Sequence, residues 1–171
     1  MLVALTTRFA MNISIILSTA NRCDSLRQTL LCLANVRVPF GMHCKLILVD
    51  NASTDSTKEV ADSIDFQNME YRYVYEARPG KSIALNSGIS RSSGEILFFL
   101  DDDVRPPINW IEGMCGQIIS GKTAAVVGGI SLAPHLKRKW MTSLLKSMFA
   151  STENQNPDNP DLVRSQLLRF T

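Results

Sequence analysis

Three consecutive carboxylates, Asp101, Asp102 and Asp103, are the residues whose type and spacing most directly suggest chemistry. Like charges without a spacer repel one another unless a cation or basic groups offset them. A divalent ion is one such offset: Mg2+ and Mn2+ prefer oxygen ligands and commonly bridge a few carboxylates to substrate phosphates. Five apolar residues, Ile96 to Leu100, lead into the cluster with no alternation in polarity, which predicts a strand buried on both faces. Residues 45–49, a second buried strand, end in Asp50 in the same way, and a β-branched strand, 12–18, ends beside Thr19 and Arg22. In open α/β sheets, ligands bind outside the carboxyl ends of the strands. Three such loops would gather acids for a metal, an acid for neutral hydrogen-bonding groups and a base for an anion. A nucleoside diphosphate has all three requirements. The metal offsets its charge, Asp50 accepts hydrogen bonds from base or sugar, and Arg22 or Lys81 reaches phosphate oxygens.

The elements that must position these residues alternate between strand and helix. Strands are predicted over 12–18, 45–49, 70–75, 96–100 and 124–130, the last containing Gly128 and Gly129. Tyr71, Tyr73 and Tyr75 alternate along the third, as one face packed under a helix would. Helices are predicted from Asp24 or Ser25, either of which can cap, to about Val36, with Leu26, Leu30 and Leu33 on one face. Others run from the 51–55 loop to about Ile64, over 82–89, and over 107–120 after Pro106 and Pro107. This alternation implies an α/β fold, a mainly parallel sheet flanked by helices.

Composition narrows the function classes. A net charge of +2 gives no argument for nucleic acid. The cysteines at 23, 32, 44 and 115 form no C-x-x-C pair, so reduced, mostly buried thiols are expected rather than a zinc ribbon. The N-terminal stretch lacks a signal-peptide core, and no segment reaches the roughly 18 apolar residues of a membrane span. Gly80-Lys81-Ser82 has the ending of a phosphate-binding P-loop, but the required first glycine would fall at Tyr75. No Gly-x-Gly-x-x-Gly follows the first strand, which excludes the usual dinucleotide fingerprint.

Four segments together resemble family 2 glycosyltransferases, inverting enzymes with the Rossmann-like GT-A nucleotide-diphospho-sugar transferase fold. They are Ile15-Ile16-Leu17-Ser18-Thr19-Ala20-Asn21-Arg22, Val49-Asp50-Asn51-Ala52-Ser53-Thr54-Asp55, Gly80-Lys81-Ser82-Ile83-Ala84-Leu85-Asn86-Ser87-Gly88, and Leu100-Asp101-Asp102-Asp103, which matches the Asp-x-Asp motif. The resemblance covers about residues 11–131, the nucleotide-sugar-binding half. It implies that Thr19 and Arg22 border the nucleotide, with Ser18 where the family usually has proline. It further implies that Asp50 holds the base beside Asn51, and that Asp55 supports that loop. Asp101 would contact the ribose, and Asp103 would bind Mn2+ or Mg2+, with Asp102 in the variable middle position. The family often has Arg before the Asn of the third motif. Here Leu85 precedes Asn86, leaving Lys81 as the nearby cation. Read without the resemblance, Asp50 and Asp55 also fit helix caps, the triple aspartate a solvated turn, and Arg22 and Lys81 surface ion pairs.

The implied reaction moves a sugar from a metal-bound nucleotide diphosphate to an acceptor hydroxyl with inversion. That displacement needs a general base, in this family an Asp or Glu downstream of the Asp-x-Asp motif. After Ile130 the acids are Glu153, Asp158 and Asp161, in or beside a polar link, and none follows a strand. The chain therefore reads as an N-terminal half, truncated relative to the family. The alternative is a non-catalytic nucleotide-sugar-binding fragment or a degenerate transferase lacking its base. Three parts are expected: an extension over 1–10, the nucleotide-sugar domain over 11–132, and an amphipathic helix with polar tail, a partial acceptor region, over 133–171. Trp140, Met141, Leu144, Leu145, Met148 and Phe149 form a helical apolar stripe after Lys137-Arg138-Lys139. Such a stripe packs on the sheet or on the remainder of the fold, and residues 137–149 also fit peripheral membrane contact or self-association. The expected setting is cytoplasmic, at the inner face of a membrane, with a saccharide, a lipid-linked sugar or a protein as acceptor.

Overall fold

The structure is a computed structural model and describes residues 11–129; the expected extension over 1–10 and the tail over 133–171, with its 137–149 stripe, lie outside the described residues. Four strands, β1 (Met11–Thr19), β2 (Met42–Asp50), β3 (Glu70–Tyr75) and β4 (Ile96–Asp101), alternate with helices α1 (Cys23–Ala34), α2 (Thr57–Asp62), α3 (Lys81–Ile89) and α4 (Trp110–Ile119). The strands form one parallel sheet in the order β3-β2-β1-β4. Residues up to Glu112 form one compact unit, and those from Gly113 belong to a second.

The chain winds outward from β1 through β2 to β3, then returns to the other side of β1 as β4. That reversal creates a switch point between β1 and β4, where a crevice opens outside the strand ends. The register aligns those ends: Thr19 lies opposite Asp50, Asp50 opposite Tyr75, and Ser18 opposite Asp101. The polar loops after each strand therefore start at one level.

The central strands are buried on both faces, as their largely β-branched and leucine runs require: Ile13, Ile15, Ile16, Leu17 and residues 46–49 are all 0–1% exposed, and so is Ser14 between them. Helix α3 lies close on β1 and β2. A methyl group built on Gly88 would meet Ile16 Cγ2 at 2.5 Å and Val49 Cγ2 at 3.2 Å, so a side chain there has no room. Leu26, Leu30 and Leu33 of α1 are buried together, as their spacing predicts.

Two expectations need correction. β4 is not buried on both faces: Ile96, Phe98 and Leu100 are buried, but Leu97 and Phe99 are 36% and 53% exposed. Phe99 lies in register with Ile16, hence on the face that α3 covers. The helix packs mainly on β1 and β2 and does not cover Leu97 and Phe99 at this edge of the sheet. The predicted fifth strand is also absent over 124–129, where the backbone is irregular. The Thr123 hydroxyl donates to the Ala125 carbonyl at 2.8 Å and accepts from its N–H at 3.3 Å, a local turn that competes with strand pairing. Gly128 and Gly129 add the conformational entropy that weakens strands. No cysteine is in a disulfide; Cys44 and Cys115 are buried, and Cys23 and Cys32 half-buried.

Helix α1 begins at Cys23, without a side-chain cap from its own sequence. Asp55 supplies that partner from the β2–α2 loop, accepting the Cys23 N–H at 2.9 Å. The other Asp55 oxygen accepts the Thr57 N–H and hydroxyl at the start of α2. One carboxylate thus serves two helix starts, and Ser25, an expected cap, is released for another contact. The Thr57 hydrogen bond, foremost, holds the Asp55 carboxyl below its ordinary pKa.

Candidate functional site

The crevice at the switch point has a volume of about 330 Å3 and is lined by Ser18, Thr19, Arg22, Asn51, Lys81 and the three aspartates, with Ala20 and Ala84 between them. β1 supplies Ser18 and Thr19, the β1–α1 turn Arg22, the β2–α2 loop Asn51, and the first residue of α3 Lys81. Strand alternation distributes the acids. Asp101, in register with Ser18, sits on the α3 face and pairs with Lys81, Nζ to Oδ1 at 2.5 Å. Asp102 turns to the α1 side, where its buried carboxylate accepts the Thr19 hydroxyl at 2.7 Å and Arg22 Nη1 at 2.8 Å. Asp103 accepts Arg22 Nη2 at 3.0 Å with its side chain half exposed. Arg22 is held above its ordinary pKa by the hydrogen bond to Asp103 first and the charge of Asp102 second.

Arg22 and Lys81 are both ion-paired, and both line the crevice. The exposed pair Lys81–Asp101 contributes little to stability, on the order of 0–1 kcal/mol. Such a pair exchanges partners cheaply. Three carboxylates against two cations leave the lining with one net negative charge, which would repel an anion unless a metal ion accompanied it.

Asn51 closes the rim. Its amide donates to the carbonyls of Glu76 (3.2 Å) and Arg78 (2.6 Å), and its carbonyl accepts the Gly80 N–H at 2.7 Å. These bonds fix the turn that delivers Lys81, and Gly80 occupies it at φ +135°, a conformation that favours glycine. Asn21, at φ +53°, ties the first loop to the second by accepting the Thr54 N–H at 2.7 Å.

Three expected site residues are not in the crevice. Asp50 is 2% exposed and does not line it. Its Oδ2 accepts the Tyr73 hydroxyl at 2.5 Å and its Oδ1 the Ser53 N–H at 2.9 Å, so the carboxylate that was expected to face a base is spent on the scaffold. Burial first, and this bond second, push the Tyr73 phenol above its ordinary pKa, keeping it a donor. Asp55 stands behind the crevice as the double helix partner described above. Asn86 is exposed on α3, away from the lining. Tyr73 was missed as a partner of Asp50. The alternation of the three tyrosines was visible, but the β2–β3 register that brings Tyr73 alongside was not. The tyrosine face is only partly covered: Tyr71 stacks on Phe66 at 5.0 Å, the Lys58 ammonium lies 4.7 Å from the Tyr73 ring centre, and Tyr75 is exposed.

Metal fit follows from the donors. Asp101 and Asp103 offer hard carboxylate oxygens on half-exposed side chains at the rim. Among the described residues no three acid, histidine or cysteine side chains converge as a complete cage. That suits Mg2+ or Mn2+, which take one or two carboxylates and complete their shell with phosphates and water. Among the described residues, no helix is long and apolar enough to cross a membrane.

Comparison with known proteins identifies the fold and the family. "Glycosyltransferase AglE" of Haloferax volcanii is 34% identical over 119 residues, 68% of this chain and 38% of its own length. "Probable glycosyltransferase YdaM" of Bacillus subtilis is 31% identical over 121 residues, 68% of this chain and 29% of its own. The chain thus spans less than two-fifths of these relatives. Among solved structures, S. aureus TarS in complex with UDP superposes with a TM-score of 0.59 at 19% identity, covering 72% of this chain and 38% of that one. Glucosyl-3-phosphoglycerate synthase from Mycobacterium tuberculosis, in complex with UDP, gives 0.58 at 23%, covering 74% and 47%; it has also been solved with Mn2+ and UDP. These likenesses establish the GT-A fold. The model of "Glycosyl transferase family 2" matches residues 14–167, extending past the 11–131 of the motif resemblance, and the chain belongs to that family.

Proposed function

We propose that the crevice binds a nucleotide diphosphate sugar together with Mn2+ or Mg2+, and that the sugar passes to an acceptor hydroxyl with inversion. The observation that carries this reading is the set of three carboxylates and two cations gathered at the β1–β4 switch point. The UDP and Mn2+ held by proteins of the same fold support it. Lys81 and the Nη2 arm of Arg22 exchange Asp101 and Asp103 for phosphate oxygens. Asp101, released from Lys81, accepts hydrogen bonds from ribose hydroxyls. Asp103 holds the divalent ion, which when bound supplies the positive charge that stabilises a departing diphosphate. Ser18, Thr19 and Asn51 border the nucleotide. Donor binding without transfer is the second reading. It is favoured because the carboxylates lining the crevice are Asp101, Asp102 and Asp103, each already paired, and none stands apart as a general base.

A thermal shift with UDP and Mn2+, on wild type and Asp103→Ala, tests donor binding. Stabilisation that needs both ligands, about 2.7 kcal/mol at a hundredfold excess over Kd, is expected for wild type and should be largely lost in the variant. No metal-dependent stabilisation in wild type, or full retention in Asp103→Ala, would overturn the site. Release of UDP from UDP-glucose or UDP-N-acetylglucosamine then separates transfer from binding alone.

A further inference from the structure

Positions 101, 102 and 103 carry the same residue in three different environments. The Asp102 side chain is 7% exposed, against 55% for Asp101 and 50% for Asp103. Burying a carboxylate is costly unless it is paired and hydrogen-bonded, and Asp102 is both. Oδ2 accepts the Thr19 hydroxyl, and Oδ1 accepts Arg22 Nη1. Its main-chain carbonyl accepts the hydroxyls of Ser25 at 3.0 Å and Thr29 at 2.7 Å, from the first two turns of α1. The Thr29 oxygen in turn accepts Arg105 Nη1 at 2.7 Å. Asp102 thereby ties the end of β1, the start of α1 and the end of β4 into one knot, with both carboxylate oxygens already engaged by protein donors.

The guanidinium is a rigid planar fork. Its Nη1 arm is anchored on the buried Asp102, and its Nη2 arm rests on the exposed Asp103. Lys81 has no such anchor: its partner, Asp101, is exposed. We propose that Asp102 is a positioning residue rather than a nucleotide contact, holding Arg22 by one arm so that the other passes from Asp103 to a phosphate without the side chain leaving the crevice. This deepens the donor-binding reading and rests on it for the identity of the anion.

Two measurements on the full chain test the assignment. The first is titration of wild type, Asp102→Asn, Arg22→Lys and the double variant with UDP, and separately with uridine, in Mn2+. Asparagine keeps the shape and can still accept from Thr19, and lysine keeps the charge but loses the fork. Each single variant should weaken UDP binding about tenfold, the scale of one charge-assisted hydrogen bond. Uridine binding should be unchanged, and the double variant should be no weaker than either single one. UDP affinity within twofold of wild type for Asp102→Asn or Arg22→Lys, or independent additive losses, overturns the proposal. The second is NMR of the Arg22 guanidinium without ligand. Two distinct Nη signals are expected in wild type and in Asp103→Asn, merging by faster rotation in Asp102→Asn. Signals that stay distinct in Asp102→Asn overturn the anchor. Should wild type bind no UDP, the donor reading fails, and the NMR arm alone decides the anchor.

Discussion

Tyr73→Phe separates the two uses that Asp50 could have. The sequence motif suggests a carboxylate facing a base, whereas the structure shows one turned into the scaffold. Removing the Tyr73 hydroxyl takes a 2.5 Å donor from Oδ2 of a residue that is 2% exposed, and leaves Oδ1 on the Ser53 N–H. The ring stays, so almost no volume is lost and the effect is that of the hydrogen bond. A bond to a charged group contributes about 1.5–3 kcal/mol, and water cannot easily replace the donor at a buried oxygen. We expect a loss of about 2 kcal/mol, which at a urea m-value of about 2 kcal/mol/M lowers the midpoint by roughly 1 M. Urea unfolding followed by far-UV circular dichroism, on wild type, Tyr73→Phe, Asp50→Asn and the double variant, measures it. The two losses should be strongly non-additive, because both act on the same Tyr73–Asp50 bond, Tyr73→Phe by removing the donor and Asp50→Asn by removing the charge of the acceptor. UDP affinity should change little in Tyr73→Phe. A stability change below about 0.5 kcal/mol in Tyr73→Phe, together with a loss of UDP affinity above tenfold in Asp50→Asn at unchanged stability, would refute the scaffold role.

Gly88→Ala should lower stability by about 1–3 kcal/mol, because the new methyl overlaps Ile16 at the α3–β1 contact. Gly113→Ala, which meets nothing within 4 Å, should not; equal melting shifts for the two would count against the close packing. Glu76 predicts a pH effect. Hydrogen bonds from the Arg78 side chain, and then its backbone, depress the Glu76 carboxyl from 4.5 to about 2. The unfolded chain takes up the proton first, so this stabilisation is complete above about pH 4.5 and disappears as pH falls toward 2. Unfolding midpoints at pH 6 and pH 3 should therefore differ more for wild type than for Glu76→Gln, and identical differences would contradict it.

Much of the fold was legible because its signals are local. The stretches 15–17 and 46–49 lack polar interruptions because their strands are covered on both sides, and Leu26, Leu30 and Leu33 recur at the spacing of one helix face. The run at 96–100 carries the same signal, yet two of its five residues, Leu97 and Phe99, are exposed. Polarity says that a residue tolerates burial, whereas cover depends on where α3 lies. The strand expected at 124–130 is absent over the described residues 124–129 for a related reason: β-branched residues favour pairing, but a local Thr123–Ala125 turn takes up the Ala125 backbone groups.

By itself, the sequence determined the family, the alternation of strands and helices, and the presence of carboxylates just where apolar runs stop. It also named most of the crevice: Ser18, Thr19, Arg22, Asn51, Lys81 and the three aspartates. Only the tertiary structure decided what each acid does. Asp50 went to Tyr73, Asp55 to two helix starts, Asp101 to Lys81, Asp102 to a buried knot and Asp103 to the rim. The motif assigns positions to three identical residues in a row, but neither motif nor composition shows which neighbours each one meets. Their neighbours come from β1, α1 and α3, tens of residues away in sequence. Strand register and the side-to-side alternation at the end of β4 turn Asp101 and Asp102 to different neighbours.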